Sequence, residues 1–432
     1  MQAGDPVTGR PRGYRSAMSS QSTATSTVGT DTGPRTRAAD SGAVTETATL
    51  AGAIDLDPAT YSGTDVRRVD GPLRWPVDRN PSPAGDAERA ALMVDPGFGR
   101  HFTDNMATAV WTADAGWHDS RIAAFGPFQL SPASAVLHYG QSIFEGLKAY
   151  RHADGSVHLF RPEANAERFA RSAHRLALPT LPVEDFVASL VELVRAEIDW
   201  VPTGGGETSL YLRPMMFGSE AFLGVRPSVV AQYSVMASPA GAYFARGPVP
   251  VSLWVSEHYT RAAPGGTGAA KTGGNYAASL LPQQEAVANG CDQVLFLDAV
   301  QRRWIEELGG MNVFAVRSDG TVVTPPISGT ILEGVTRDAI LAFAGDLGHE
   351  AVQAPIDLAE LRADLGAGRV TELFACGTAA VVTPVGRIVQ AGHEDLVVAT
   401  DTGPVTAAIR SALLDLQYGR RPDTAGWLRR VV

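Results

Sequence analysis

Lysine is almost missing from this chain: of its 36 basic residues only Lys148 and Lys271 are lysines. Arginine replaces lysine wherever any cation suffices, but its guanidinium stays protonated and cannot form a Schiff base. A lysine amine can, once its surroundings favour the neutral form. A retained lysine is therefore a candidate for chemistry, against the plainer alternative that two lysines simply escaped drift. Cysteine is equally scarce, with only Cys291 and Cys376. Two cysteines build no disulfide framework and offer no CxxC spacing for zinc or dithiol chemistry, so reduced thiols and no bound metal are expected. No apolar run is long enough to span a bilayer. The N-terminus also lacks the charged-then-apolar order of a secretory signal, which makes the cytoplasm the default address. Positive charge is in deficit too, at a formal net charge of −10. That balance argues against a nucleic-acid or anionic-membrane binder, both of which need a cationic face. What remains is a 432-residue chain, 44% hydrophobic and 19% charged, long enough for two globular domains that work on small molecules.

Residues 1–85 are rich in Ser, Thr, Ala, Gly and Asp with no sustained apolar period, and are expected to form a disordered leader. A first, small α/β domain is expected over 86–240. Strands are predicted at 107–112, 157–160, 209–216 and 229–236, and helices at 162–176 and 183–200. Residues 241–248 read as an interdomain loop, and clean alternation over 249–256 opens a second, larger domain running to 432. Within it helices are expected at 276–289, ended by Gly290, at 336–347 and at 405–416. The turn Ser318-Asp319-Gly320 between apolar strands signals a hairpin.

The segment PGGTGAAKTGGNY at 264–276 surrounds Lys271 with glycines. It misses the phosphate-loop pattern G-x-x-x-x-G-K-[ST] by one glycine, and it lacks the direct strand-to-helix passage that such a loop requires, so a nucleotide-binding protein is a remote reading. Alternatively, glycines flank Lys271 because something flat must lie against the backbone. A surface lysine in a flexible loop is the bland alternative to both.

Several segments in order resemble the branched-chain amino acid aminotransferases, class IV aminotransferases of the fold-type IV pyridoxal-phosphate group. They are HYGQSIFEGLKAY at 138–150, NAERFARSAHRLALP at 165–179, LYLRP at 210–214, SPAGAYF at 238–244, GAAKTGGNYAASL at 268–280 and EELGGMNVF at 306–314. GVTRDAI and CGTAAVVTPV follow toward the end. The resemblance implies a mixed α/β fold of two domains, the second pseudo-barrel-like, joined by an interdomain loop. It implies pyridoxal 5'-phosphate as cofactor and a homodimer with the site near the subunit interface. The implied reaction exchanges amino groups between L-leucine, L-isoleucine or L-valine and 2-oxoglutarate, in biosynthesis or degradation of those amino acids. D-amino acid aminotransferase and aminodeoxychorismate lyase share the fold type and are the nearest rivals.

Carried over position by position, Lys271 matches the Schiff-base lysine and Tyr276 the tyrosine that bonds the cofactor's phenolic oxygen. Glu307 matches the carboxylate paired with the pyridine nitrogen, where an anion keeps the ring protonated and electron-withdrawing. Glu306, its neighbour, should point the other way on a strand and be solvated. Arg168, the helix N-terminus at Val335 and Thr336, and Thr378 match the phosphate site. Arg171 and Arg175 share Arg168's helical face and are expected to be a solvated basic stripe. Tyr211 and the Ala379 amide resemble the α-carboxylate clamp, and Arg213 the group that meets a second carboxylate. Phe98, Tyr139, Phe144 and Tyr243 match the side-chain pocket. Lys148 stands where relatives carry Arg, which marks a charge role. Ala380 and Thr383 stand where some animal relatives have a redox-sensitive cysteine pair, so thiol control of that kind is not expected.

Overall fold

The computed structural model describes residues 71–203, 207–241 and 249–432; the leader through residue 70 and Tyr243 lie outside them. The first half builds an eight-stranded, wholly antiparallel sheet. Its order is Leu428–Arg430, Val157–Phe160, Leu147–Arg151, Ser209–Gly218, Val230–Ala240, Asn105–Thr112 and Gly116–Ala124, with Ser142–Phe144 added beside Ser209–Gly218. Helices Pro162–Arg175 and Val183–Ala196 lay Phe169, Phe186 and Leu190 against Leu212 and Tyr233 of this sheet. The fully buried Tyr233 satisfies its hydroxyl on Ser189 Oγ at 2.8 Å, as a buried phenol must.

The second of these helices stops short of the expected residue 200 and tightens into a 3-10 turn, Ile198–Trp200. The cause is tertiary. Trp200 Nε1 donates to Asp104 Oδ2 at 2.8 Å, and Glu197 accepts from the Asp104 amide at 3.1 Å, so the last turn is drawn to the neighbouring strand. Residues 71–85, which the sequence assigns to the leader, pack on the same layer. Trp75 is buried near Tyr233, the Leu73 amide donates to Asp185 Oδ1 at 2.9 Å, and Val77 bridges to Ile122.

The second half is a ten-stranded sheet that closes on itself. Strands Asn312–Arg317, Val370–Gly377, Val381–Val389, Val251–Ser256, Gln293–Leu297 and Trp304–Leu308 pair in that order, and the last pairs back to the first at Glu307 and Asn312. The result is a barrel-like body, which matches the mixed α/β fold with a pseudo-barrel-like second domain that the resemblance implies. Its strands are covered on both faces: Val313 and Ala315 join one apolar cluster, Phe314 and Val316 another. The strand Trp304–Leu308 is buried from Ile305 onward, which corrects the expectation that Glu306 is solvated. Glu306 is only 7% exposed and accepts from Thr330 Oγ1, and burial pushes its carboxyl up.

The helix expected over 276–289 divides into Gly273–Ala277 and Leu280–Ala288. Pro282 explains the break: it has no amide to continue the ladder and is tolerated only in a first turn. The last strand, Leu428–Arg430, leaves the barrel half and completes the first sheet beside Val157–Phe160.

Candidate active site

A cavity of ≈ 510 Å³ opens between the two halves. Its walls carry Phe98, Phe144, Arg168, Tyr211 and Arg213 from the first half, and Lys271, Tyr276, Glu307, Val335, Thr336, Thr378 and Ala379 from the second.

Lys271 enters from the glycine-rich segment, which is fixed by its own polar side chains. Asn275 Nδ2 donates to the carbonyls of Thr267 and Ala270 at 2.8 and 2.9 Å, and Thr267 Oγ1 donates back to Asn275 Oδ1 at 2.7 Å. Gly268 is there for close approach, since a Cβ would stand 2.5 Å from the Thr330 carbonyl oxygen. The backbone of Lys271 is held on both sides, its amide by Ser172 Oγ and its carbonyl by the Phe144 amide, each at 2.9 Å. Its Nζ donates to the Tyr276 hydroxyl at 2.7 Å and lies 4.8 Å from the Phe144 ring centroid.

One end of the cavity is cationic. Arg168 makes a two-pronged pair with Glu145, Nε to Oε1 at 2.8 Å and Nη2 to Oε2 at 2.7 Å, and Nη1 donates to the Glu333 carbonyl at 2.9 Å. Burial would raise the Glu145 carboxyl, but the Arg168 charge and hydrogen bonds prevail and hold it below the usual range. Beside this pair begins the helix Val335–Phe343, whose N-cap Gly334 offers no side-chain cap, so its first amides are left for an anion. Gly334 is also required sterically, because a Cβ would overlap Asn312 Oδ1.

Opposite lies Glu307, at the pair that closes the barrel. The Leu332 amide donates to its Oε1 at 2.8 Å, and Arg261 Nη2 stands 2.7 Å from the same oxygen. Burial nevertheless pushes the Glu307 carboxyl up to about 7, against the downward pull of Arg261.

On the remaining wall Arg213 Nη2 donates to the Tyr211 hydroxyl at 2.9 Å, and Phe98 packs edge-on against Tyr211 at 4.9 Å. Gly146 is a glycine because the Tyr211 hydroxyl occupies the space of a Cβ. The 378–380 turn is drawn in from behind. Lys148 Nζ donates to the Ala379 carbonyl at 2.9 Å, and Arg410 Nη1 donates to the carbonyls of Ala380 and Val382 at 3.3 and 2.7 Å. Burial brings the Lys148 ammonium down to about 8, with Glu207 opposing the shift.

Of the residues singled out in the sequence, Tyr139 is not brought to this cavity. It ends the short helix Ala135–Tyr139 ahead of left-handed Gly140, which turns its ring outward; its hydroxyl donates to the Leu223 carbonyl and it is 39% exposed. Tyr243 lies outside the described residues. Arg171 is half exposed and pairs with Glu333 at 2.9 Å, and Arg175 reaches the Gly265 and Gly266 carbonyls, both apart from the cavity wall. Two residues that hold the site, Glu145 and Arg261, have no role in the sequence reading. Glu145 was visible as a carboxylate inside the apolar run SIFEGL. Nothing local marks Arg261 among so many arginines.

Residues 142–388 match the amino-transferase class IV family. The chain is 54% identical over 354 residues to a probable branched-chain-amino-acid aminotransferase of Streptomyces coelicolor, covering 82% of this chain and 98% of the relative. It is 52% identical over 364 residues to the branched-chain-amino-acid aminotransferase of Mycolicibacterium smegmatis, covering 84% and 99%. Among solved structures it is similar to the branched-chain amino acid aminotransferase from Thermobaculum terrenum in its PLP-form, the holo-form. That match has 26% identity and a TM-score of 0.60, and covers 76% of this chain and 100% of that one.

Proposed function

From the premise that this chain belongs to the class IV aminotransferases, we propose that Lys271 is the proton carrier of its transamination reaction and that the cavity walls divide cofactor from substrate as follows. The chain is a pyridoxal-phosphate-dependent transaminase of branched-chain amino acids. The observation that carries the assignment of roles is the Lys271 amine, 2.7 Å from the Tyr276 hydroxyl, in a cavity that Arg168 and Glu307 also line.

That donor set fits pyridoxal phosphate. Arg168, the amides of Val335 and Thr336 and the Thr378 hydroxyl would hold the phosphate, Glu307 would meet the ring nitrogen, and Tyr276 would meet the phenolic oxygen. When bound, the cofactor supplies an electron sink that acidifies the amino acid's Cα–H. Lys271, its amine 2.7 Å from the Tyr276 hydroxyl, would be the base that takes the proton from the amino acid's Cα and the acid that hands it on. In the reverse half-reaction Lys271 would return a proton to the Cα of the glutamate formed from 2-oxoglutarate. The Tyr211 hydroxyl and the Ala379 amide receive the α-carboxylate, and Arg213 meets the second carboxylate of glutamate. Phe98 and Phe144 give an apolar wall for leucine, isoleucine or valine.

Tyr139 belongs to the same pocket in a homodimer, contributed by the second copy. Supporting this are its exposure and the neighbouring exposed Leu137, Leu223 and Val225, at 59%, 69% and 90%, an apolar group that a partner would bury. The first domain takes in residues 71–85 as well as 86–240 and is completed by Leu428–Arg430, the second begins at 249, and the enzyme works in the cytoplasm. No helix among the described residues is long and apolar enough to cross a membrane.

Absorbance spectroscopy of the purified protein with added pyridoxal phosphate tests the assignment. A visible band that L-leucine bleaches and 2-oxoglutarate restores is expected for the wild type, whereas in Lys271→Ala L-leucine shifts the band at most and does not bleach it. A band bleached by a D-amino acid but not by L-leucine would refute it.

A further inference from the structure

Arg261 has no part in the division of cofactor and substrate contacts given above. It does not line the cavity, yet it is 5% exposed and its Nε is buried without a hydrogen-bond partner. A buried guanidinium costs free energy unless its charge is used. Its Nη2 shows where it is used: that one nitrogen stands 2.9 Å from the Gly268 carbonyl, 2.5 Å from the Thr330 carbonyl and 2.7 Å from Glu307 Oε1. Gly268 belongs to the segment that carries Lys271. Thr330 lies just before Leu332, whose amide holds the same Glu307 oxygen. We infer that Arg261 is a positioning residue of the transamination site, which keeps Glu307 ionised opposite the cofactor's ring nitrogen and ties that carboxylate to the Lys271 segment. The inference rests on the role proposed for Glu307.

The electrostatics make the charge necessary. Burial is the largest influence on Glu307 and works against the carboxylate; Glu306, its neighbour on the strand, works in the same direction. Arg261 and Lys271 oppose them, Arg261 more strongly. Arg337 on the adjoining helix and Cys376 on the neighbouring strand also interact with Glu307, and Cys376 is itself pushed up by burial. With Arg261 present the carboxyl sits at about 7. Without it the carboxyl moves further up, and a larger share of it faces the ring nitrogen as the neutral acid at any given pH.

Arg261→Gln removes the charge, its amide also stopping two atoms short of the Nη2 position; Arg261→Lys keeps a charge and reaches to one atom short of it, so the two together separate charge from tie. Three quantities are measured on the full chain: affinity of the cofactor-free protein for pyridoxal phosphate by fluorescence, absorbance of the loaded protein against pH, and the acid limb of kcat for L-leucine. For Arg261→Gln the spectral transition and the acid limb move up by about one pH unit or more, a tenfold loss of ionised carboxylate at fixed pH. For Arg261→Lys they move up by roughly half as much. Folded variants that bind the cofactor less tightly but leave both pH transitions in place would overturn the inference and leave Arg261 a structural tie. Should Arg261→Gln not fold, an upward shift in Arg261→Lys supports the inference and an unmoved transition overturns it. Glu307→Gln separates the two roles. If it moves neither transition, the role of Glu307 has failed; if it moves both while the Arg261 variants move neither, only the role of Arg261 has.

Discussion

Glu145 and Arg168 face each other with both side chains shut away from water, at 0% and 5% exposure. Removing one partner leaves the other as a buried, uncompensated charge, so Glu145→Ala should cost about 3–5 kcal/mol of stability. Thermal melting of the cofactor-free protein checks this, and pyridoxal phosphate binding should weaken along with it because the arginine loses its orientation. Lys148 acts at one remove from the substrate through the Ala379 carbonyl. Its ammonium, brought down to about 8, is charged below that pH and neutral above it. The KM for L-leucine should therefore rise as pH passes upward through about 8. Lys148→Arg should stay flat over the same range, and Lys148→Met should raise KM about tenfold at every pH with kcat little changed. A Lys148→Met enzyme with normal KM would show that the tether is idle. Residue identity alone made Lys148 and Lys271 conspicuous in a nearly lysine-free chain, and the family resemblance chose Lys271. Residue identity said nothing of Arg261, whose type is everywhere in this chain and whose position matters only once three distant segments have met.

Between residue and fold, the glycines of the Lys271 segment are not equivalent. A Cβ at Gly268 would strike the Thr330 backbone, whereas one at Gly274 would meet nothing within 4 Å. Gly268→Ala should displace the segment and its lysine, with activity falling roughly 100-fold if the shift approaches an ångström. Gly274→Ala, inside a short helix, should leave activity unchanged and stability unchanged or slightly improved. Steady-state rates and melting curves of the pair give the comparison, and equal damage from both would contradict the close-approach account. Periodicity located most elements, including Val157–Phe160 and the helix starting at Pro162, because their apolar spacing is local. It failed at the helix broken near Pro282, where the proline could have been given more weight. It failed again at Glu306, where alternation implies a wet face but the closed barrel and its surroundings leave none.

For the molecule as a whole, what could not be read from the sequence is what depends on distant pairings. The return of Leu428–Arg430 to the first sheet joins residues far apart in the chain, and no local pattern announces it. The packing of residues 71–85 was hidden because one tryptophan amid polar residues resembles a linker. A chain beginning at residue 86 should melt lower than one beginning at 71, by the roughly 3–5 kcal/mol that removing a buried tryptophan costs, since Trp75 is 6% exposed in the first core. Equal melting temperatures would place those residues outside the folding unit. The proposed reaction turns on Lys271 moving a proton within a site built from both halves. The most direct measurement is Cα–H exchange of L-leucine in deuterium oxide, followed by NMR with the pyridoxal-phosphate-loaded protein. Wild type is expected to replace the Cα proton with deuterium at a rate comparable to turnover, and Lys271→Ala to lose that exchange by several orders of magnitude while its fold is retained. Exchange at the wild-type rate in Lys271→Ala would mean that another group carries the proton, and the central claim would be wrong.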